Sequence, residues 1–133
     1  MSWGRIIGGG IAAGIVTFLA DFVQHGMILG KAYAKYPVFT QTAANPGWFL
    51  FVSVSIGICV AILFAKSRGS WAAGWKGGAA FGFFLGLATF FSGFYNPLVL
   101  EGFPYHLAWC WGGVGMIDAI LGGAVLGALI PRD

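Results

Sequence analysis

The chain alternates between four long apolar segments and short polar connections. The apolar segments cover residues 6–29, 48–65, 77–95 and 107–130, and each is close to the ~20 residues that a helix needs to cross a membrane. Their apolar residues are continuous, whereas the strands of a membrane β-barrel alternate apolar and polar side chains. The pattern therefore predicts an all-α protein, a polytopic membrane four-helix bundle.

Composition argues against a water-soluble globule. Only 8% of the 133 residues are charged, whereas soluble domains carry about 25%. Hydrophobic residues make up 59% of the chain and the mean hydropathy is +0.85, so lipid is expected to surround most of the surface. The length predicts a single transmembrane domain over residues 1–133. The net charge of +3 includes no basic run, and no nucleic-acid partner is predicted.

Positive residues are distributed unevenly between the two ends of the predicted helices. Lys31 and Lys35 lie on one side, and the other five Lys and Arg residues lie on the opposite side. Cytoplasmic loops carry an excess of Lys and Arg, so the side with five is expected to be cytoplasmic. We therefore expect a multi-pass protein of the inner (cytoplasmic) membrane, with both termini in the cytoplasm and the first helix retained. Tryptophans near the predicted helix ends are typical of an aromatic belt. The positive residues on the other side are Arg5, Lys66, Arg68, Lys76 and Arg132.

The first and third apolar segments resemble each other when the chain is shifted by 72 residues. The second and fourth segments match much less well. The alignment favours an internal repeat, in which two helical hairpins of the same orientation are related by a pseudo-twofold axis along the membrane normal. The aligned pairs are Trp3 and Trp75, Gly10 and Gly82, Gly14 and Gly86, Thr17 and Thr89, Phe18 and Phe90, Phe22 and Phe94, and Gly30 and Gly102.

Small residues recur at every fourth position in three of the predicted helices. Helices in lipid gain little from apolar burial against one another, and small residues let their backbones approach closely instead. We therefore expect helix packing along these positions, mainly within the bundle and secondarily between copies. The positions are Gly10 and Gly14, then Gly74, Gly78, Gly82 and Gly86, and finally Gly115, Ala119, Gly123 and Gly127.

Few ionisable residues lie inside the predicted spans, and the important ones are Asp21, His25 and Asp118. An acidic residue near a helix centre costs about 2.5–3.5 kcal/mol on insertion scales, so it is expected to face protein or a water-filled cavity. Steps of three and four residues place Asp21 and His25 on one helix face with Thr17. The sequence thus predicts a polar cavity that opens outward and forms a ligand or proton site. Its predicted lining is Thr17, Asp21, Gln24, His25, Thr89, Asn96 and Asp118.

These polar residues have three interpretations. Asp21 and His25, four residues apart, can satisfy each other and only fix the helix register, or they can handle protons or a substrate. In the third interpretation His25 ligates a metal or a pigment, with further ligands such as Asp118, His106 or Glu101. The sequence has no HExxH, CxxCH or paired-His motif, so we predict no metal site and no cofactor.

Enzyme motifs are absent from the sequence. It has no Walker loop and no GxSxG nucleophile elbow, and Gly8-Gly9-Gly10 does not follow a strand as a dinucleotide-binding loop would. Cys59 and Cys110 form no CxxC pair and are interpreted as small apolar fillers. The protein is therefore predicted not to be an enzyme.

Two glycine-rich runs carry a resemblance to known proteins. They are Trp3-Gly4-Arg5-Ile6-Ile7-Gly8-Gly9-Gly10-Ile11-Ala12-Ala13-Gly14 and Asp21-Phe22-Val23-Gln24-His25-Gly26-Met27-Ile28-Leu29-Gly30. In these runs the chain resembles an uncharacterised family of small four-helix bacterial inner-membrane proteins, a domain of unknown function. The resemblance implies the fold and a bacterial inner-membrane location, and it carries over no catalytic residue.

Three functions follow from these observations as hypotheses. The leading one is a non-catalytic accessory or structural subunit that packs in a larger membrane complex or homo-oligomer, because the loops are short and the small-residue positions offer packing surfaces. The alternative is a small transporter or channel that uses the intramembrane residues Asp21 and Asp118. The second alternative is a cofactor- or pigment-binding membrane subunit. The expected partners are the lipid bilayer and either other membrane subunits or a second copy.

Overall fold

A computed structural model describes residues 2–39 and 45–132, and every regular element in these ranges is helical. The prediction of an all-α four-helix bundle is therefore confirmed. The α-helices are α1 (Trp3–Asp21), α2 (Gly30–Tyr33), α3 (Pro46–Lys66), α4 (Gly74–Tyr95) and α5 (Tyr105–Leu129). A π-helical segment over Phe22–Ile28 extends α1, and 3₁₀ turns lie at Pro37–Phe39, Arg68–Ser70 and Asn96–Val99.

Four helical stretches are long and apolar enough to cross a membrane. Each overlaps one of the predicted apolar segments and begins two or three residues earlier. Large apolar side chains point outward from these helices, for example Trp3 and Phe51, which are 65% and 61% exposed. Such a surface suits lipid as the surrounding solvent. The four stretches are Trp3–Ile28, Pro46–Lys66, Gly74–Val99 and Tyr105–Leu129.

Local sequence explains where several helices begin. Pro46 occupies the first turn of α3, where its missing N–H would have no partner in any case. The side chain of Asn45 caps this helix by accepting a hydrogen bond of 2.8 Å from the backbone nitrogen of Gly47. At the start of α4, Gly74 has a φ of +75°, a conformation that glycine adopts at little cost.

Two antiparallel helix pairs form the bundle. α4 packs along α5 in the most extensive interface, and α1 packs along α3. A smaller interface between α1 and α5 joins the two pairs. α3 and α4 meet near one end of the bundle, where the rings of Phe64 and Phe81 lie 5.1 Å apart. The rest of the bundle leaves room for a cavity between the pairs.

Glycines bring the backbones of α4 and α5 into direct contact. A Cβ atom on Gly78 would lie 2.6 Å from the backbone nitrogen of Gly127, and a Cβ atom on Gly82 would lie 2.9 Å from the Cα atom of Ile120. Carbon atoms normally pack 3.5–4.0 Å apart, so these positions accept no side chain without separating the helices. Gly74, Gly86, Ala119 and Gly123 contribute to the same interface, whereas a Cβ atom on Gly115 would meet nothing within 4 Å.

The α1–α3 pair is packed in the same way. A Cβ atom on Gly10 would lie 2.6 Å from the Cα atom of Ile58, and a Cβ atom on Gly14 would lie 2.5 Å from the Cα atom of Val54. Gly57 of α3 faces Gly14 from the other side, at 2.9 Å between its Cβ position and the Gly14 Cα atom. Both helix pairs are therefore held at backbone distance by glycine.

The end of the bundle that carries both termini and the turn over residues 67–73 is closed, and we call it the termini end. Phe64, Leu126 and Ile130 are fully buried there. The opposite end, which we call the His106 end, has a second apolar cluster formed by Phe103, Leu107 and Ala108. The two clusters leave the middle of the bundle as the place for polar side chains.

A buried arginine fastens the termini end. Arg68 is 3% exposed, and its Nε donates a hydrogen bond of 2.9 Å to the carbonyl oxygen of Ile130. Its Nη1 donates to the carbonyl oxygens of Trp71 at 3.1 Å and Ala72 at 3.0 Å. Burial lowers the pKa of the guanidinium, and the positive charge of Arg132 lowers it further. The side chain thereby ties the end of α5 to the turn that precedes α4.

Candidate functional site

The end of α1 and the middle of α5 bring two carboxyl groups together. Asp118 Oδ1 accepts a hydrogen bond of 2.8 Å from Nε2 of Gln24, and its carboxyl group lies beside that of Asp21 at the wall of one cavity. Two carboxyl groups this close disfavour a state in which both are ionised, so they are suited to sharing one proton. The pair links the α1–α3 pair to the α4–α5 pair.

α1 changes into a π-helix directly after Asp21. The π-helical segment covers Phe22–Ile28 and includes Gln24 and His25. π-helical stretches are rare and are frequently found at functional sites. Here the wider turn supplies two polar side chains next to the carboxyl pair.

Two aromatic residues orient the ring of His25. The indole nitrogen of Trp111 donates a hydrogen bond of 2.8 Å to the hydroxyl oxygen of Tyr33, and the same hydroxyl contacts Nδ1 of His25. An indole N–H can only donate, so the Tyr33 hydroxyl accepts from Trp111 and keeps its own hydrogen and a second lone pair for the contact with His25. On the other edge of the imidazole ring, Nε2 of His25 lies 3.8 Å from Oδ1 of Asp21. Polar groups thus run from Trp111 to Asp21.

Tyr33 belongs to α2 and lies outside the four spanning helices. Burial raises the pKa of its phenol above the usual 10.0, and the hydrogen bond from Trp111 opposes this shift. The charges of Cys110 and Asp21 raise the pKa further. The hydroxyl therefore keeps its proton at neutral pH.

A first cavity of about 370 Å³ lies between the two helix pairs and borders the carboxyl pair. All four long helices contribute polar groups to it, from Thr17 and Asp21 on α1, Ser53 on α3, Thr89 on α4 and Asp118 on α5. The remaining wall is apolar or glycine. It is formed by Ala13, Ile56, Gly57, Val60, Leu85, Gly115, Ala119, Gly122, Gly123 and Leu126.

A second cavity of about 450 Å³ lies on the other side of Asp21, towards the His106 end. Its wall is mainly aromatic, and its charged or polar members are Asp21 and His25. Because Asp21 borders both cavities, 43% of its side chain is exposed. The lining consists of Phe18, Asp21, Phe22, His25, Gly26, Pro46, Phe49 and Trp111.

The residues that the sequence indicated for one outward-opening cavity are divided between these features. Gln24 reaches the site through its hydrogen bond to Asp118. Asn96 begins the 3₁₀ turn after α4 and borders neither of the two cavities. The first cavity contains Thr17, Asp21, Thr89 and Asp118, and the second contains Asp21 and His25.

Sequence reasoning missed several residues of the site. Tyr33 lies in a stretch that was expected to be a loop, and Trp111 was interpreted as a member of an interfacial belt. Ser53 and Phe49 lie on α3, which carries no ionisable residue that would draw attention to it before Lys66. The one signal in the sequence that pointed to these residues is the number of aromatic residues near Asp21.

Metal ligands are not gathered at the site. Within residues 2–39 and 45–132, no group of three or more His, Cys, Asp and Glu side chains is placed so that it could hold a metal ion. His106, one of the ligands considered from the sequence, lies with its ring 6.0 Å from that of Tyr36. Glu101 follows the turn after α4.

Comparison with known proteins adds no family and no function. No protein-family model, no curated protein and no solved structure matches this chain. A function must therefore be inferred from the carboxyl pair, the π-helical segment and the two cavities.

Proposed function

We propose that this protein is a small membrane transporter or channel in which Asp21 and Asp118 bind the transported proton or substrate. The observation that supports the proposal is that these two carboxyl groups, one from each helix pair, lie side by side at the wall of one cavity. Ionisable residues inside membrane helices are costly and rare, and they typically mark ion, substrate or proton pathways.

The surroundings of the carboxyl pair favour proton transfer. Two coupled carboxyl groups that share one proton can release it or take up a second one when their environment changes. On one side, the chain of His25, Tyr33 and Trp111 leads towards the His106 end. On the other side, the first cavity extends towards the termini end as far as Leu126. We propose that the proton path along the bundle follows these side chains and this cavity.

Proton flux into liposomes that contain the purified protein tests this proposal. A pH-sensitive dye inside the liposomes reports flux while a potassium gradient with valinomycin imposes a membrane potential. Asp21→Asn and Asp118→Asn keep the shape of the side chains but remove the exchangeable proton, so we expect flux to fall to that of protein-free liposomes.

Glu101→Gln provides the matched control, because Glu101 is an acidic residue outside the four spanning helices. This variant is expected to transport protons like the unmodified protein. The proposal is wrong if the unmodified protein gives no flux above protein-free liposomes, or if both folded Asp→Asn variants retain full flux.

An accessory subunit of a membrane complex or homo-oligomer is a second candidate. The small residues of α4 and α5 are used inside the chain, but Gly4 and Gly8 are one turn apart on α1 and a Cβ atom at either would meet nothing within 4 Å. Such an open pair of glycines allows another helix to approach. Native mass spectrometry from nanodiscs should then detect a complex that Gly8→Leu weakens, and a monomer under all conditions would contradict it.

We also propose that the protein lies in the inner membrane of a bacterium with both termini in the cytoplasm. The distribution of Lys and Arg supports this orientation. The internal repeat stays part of this proposal. Two helical hairpins would pair α1 with α3 and α4 with α5, and these are the pairs that pack together. Green fluorescent protein fused to the C-terminus should fluoresce, because it folds in the cytoplasm. Activity of alkaline phosphatase fused at the same place would instead show that the C-terminus lies outside the cytoplasm.

A further inference from the structure

The second cavity combines aromatic walls with a single acidic group. Phe18, Phe22, Phe49 and Trp111 line it, and the carboxyl group of Asp21 borders it. We propose that this cavity binds an organic ammonium cation, which rests on the transport function proposed above and specifies its class of substrate.

Charge is the first argument for a cation. Within residues 2–39 and 45–132, the one basic side chain within 4 Å of the Asp21 carboxyl group is that of His25, at 3.8 Å, and no Lys or Arg forms an ion pair with it. If Asp21 and Asp118 share one proton, the two carboxyl groups together carry one negative charge that no Lys or Arg balances. A charge without a cationic partner in a membrane-spanning segment is costly, so a bound cation gains by neutralising it.

The aromatic side chains are the second argument, because they select the kind of cation. The faces of Trp and Phe rings attract positive charge, and quaternary ammonium groups are typically recognised by several rings together. A small inorganic cation would instead need several oxygen ligands, which this lining does not offer. The wall therefore suits a cation that carries alkyl or aryl groups.

The size of the cavity agrees with a ligand of this kind. Its volume of about 450 Å³ falls in the range of roughly 300–1,000 Å³ that is usual for small-molecule sites. Gly26 leaves part of this space free, because a Cβ atom there would meet only ring carbons of Phe22, at 3.8 Å. Since that is an ordinary contact, a side chain at Gly26 can be introduced without disturbing the helix.

The position of Asp21 connects this cavity with the rest of the site. The same carboxyl group borders the first cavity, so a cation bound at the aromatic wall lies next to the shared proton. Binding of the cation and release of the proton then both involve the carboxyl group of Asp21. This places the organic cation and the proton in competition for Asp21.

Calorimetric titration of the protein in nanodiscs of zwitterionic lipid tests the proposal. The probe is benzyltrimethylammonium, with benzyl alcohol as an uncharged aromatic control and empty nanodiscs as the blank. We expect saturable binding of the cation and no saturable binding of the alcohol. Asp21→Asn should weaken binding at least tenfold, Phe49→Leu should weaken it about fivefold, and Gly26→Leu should weaken it by filling the cavity.

Matched controls separate this effect from a general disturbance of the bundle. Phe51→Leu changes a ring that is as exposed as Phe49 on the same helix but borders neither cavity, and it should bind like the unmodified protein. The proposal is refuted if the cation does not bind, if benzyl alcohol binds equally well, or if folded Asp21→Asn binds normally. In those cases Asp21-dependent proton flux in liposomes would show that the transport function still stands.

Discussion

Replacing Gly82 by alanine should destabilise the bundle by forcing α4 away from α5. The new Cβ atom would overlap the carbonyl oxygen of Ala119 and would lie 2.8 Å from the carbonyl carbon of Ala119 and 2.9 Å from the Cα atom of Ile120. All three are backbone atoms of α5, so none can move without shifting the helix. Relief of the clash requires the helices to separate locally by more than about 0.7 Å, since carbon atoms normally pack at 3.5–4.0 Å and the carbonyl oxygen lies closer still.

The size of the effect follows from two opposing contributions. Inserting a methyl group into a fully packed interface costs about 1–3 kcal/mol. Alanine in a helix interior returns about 0.5–1 kcal/mol relative to glycine. The net destabilisation of Gly82→Ala is therefore expected to be about 1–2 kcal/mol, and the longer side chain in Gly82→Leu should prevent formation of the native bundle.

Unfolding in mixed micelles of increasing dodecyl sulfate content, followed by circular dichroism, measures this difference. Gly93 provides the control on the same helix, because a Cβ atom there would lie 3.7 Å from the Cα atom of Gly112, an ordinary contact. Gly93→Ala should be as stable as the unmodified protein or slightly more stable. Equal stability of the Gly82→Ala and Gly93→Ala variants would refute the close approach of α4 and α5.

Three further predictions concern other parts of the molecule. Gly10→Ala should lower stability by about 1–2 kcal/mol in the same assay, because its Cβ atom would meet the α3 backbone, whereas Gly8→Ala, which faces open space, should not. Arg68→Leu should cost about 2–4 kcal/mol, since one buried and two partly buried carbonyl groups lose a charged donor, and retention of full stability would contradict this role. The raised pKa of Tyr33 means that its contribution to stability is complete below pH 10 and is lost as the pH rises further. Near-ultraviolet absorbance should therefore show one of the four tyrosines ionising late, and Tyr33→Phe should remove that step.

The helices and their closest contacts could be predicted because both depend on local sequence. A continuous apolar run of sufficient length specifies a spanning helix without reference to the rest of the chain. Likewise, a small residue at every fourth position creates a flat face on one helix, and Gly78 and Gly82 do lie against α5. The partner glycine on α3, Gly57, has small residues four positions away on either side, Ser53 and Ala61, so the same spacing is present in that helix.

The environment of the carboxyl pair could not be predicted because it depends on contacts between distant residues. Tyr33 and Trp111 are 78 residues apart, and no periodicity relates a residue beyond α1 to one inside α5. The π-helical segment could not be predicted either, because the assignment of Asp21 and His25 to one helix face assumes a regular α-helical repeat. Gln24 and Asp118 were expected at one cavity, and Gln24 donates its hydrogen bond to Asp118 from this π-helical segment.

The interfaces of unequal extent in the bundle have a mechanical consequence. Each helix pair is locked internally by glycine contacts at backbone distance, while the seam between α1 and α5 is less extensive. Asp21 belongs to one locked half and Asp118 to the other, so rocking of the halves would change the distance between the two carboxyl groups before it disturbed either pair. A change of protonation at these side chains would in turn favour one angle between the halves over another.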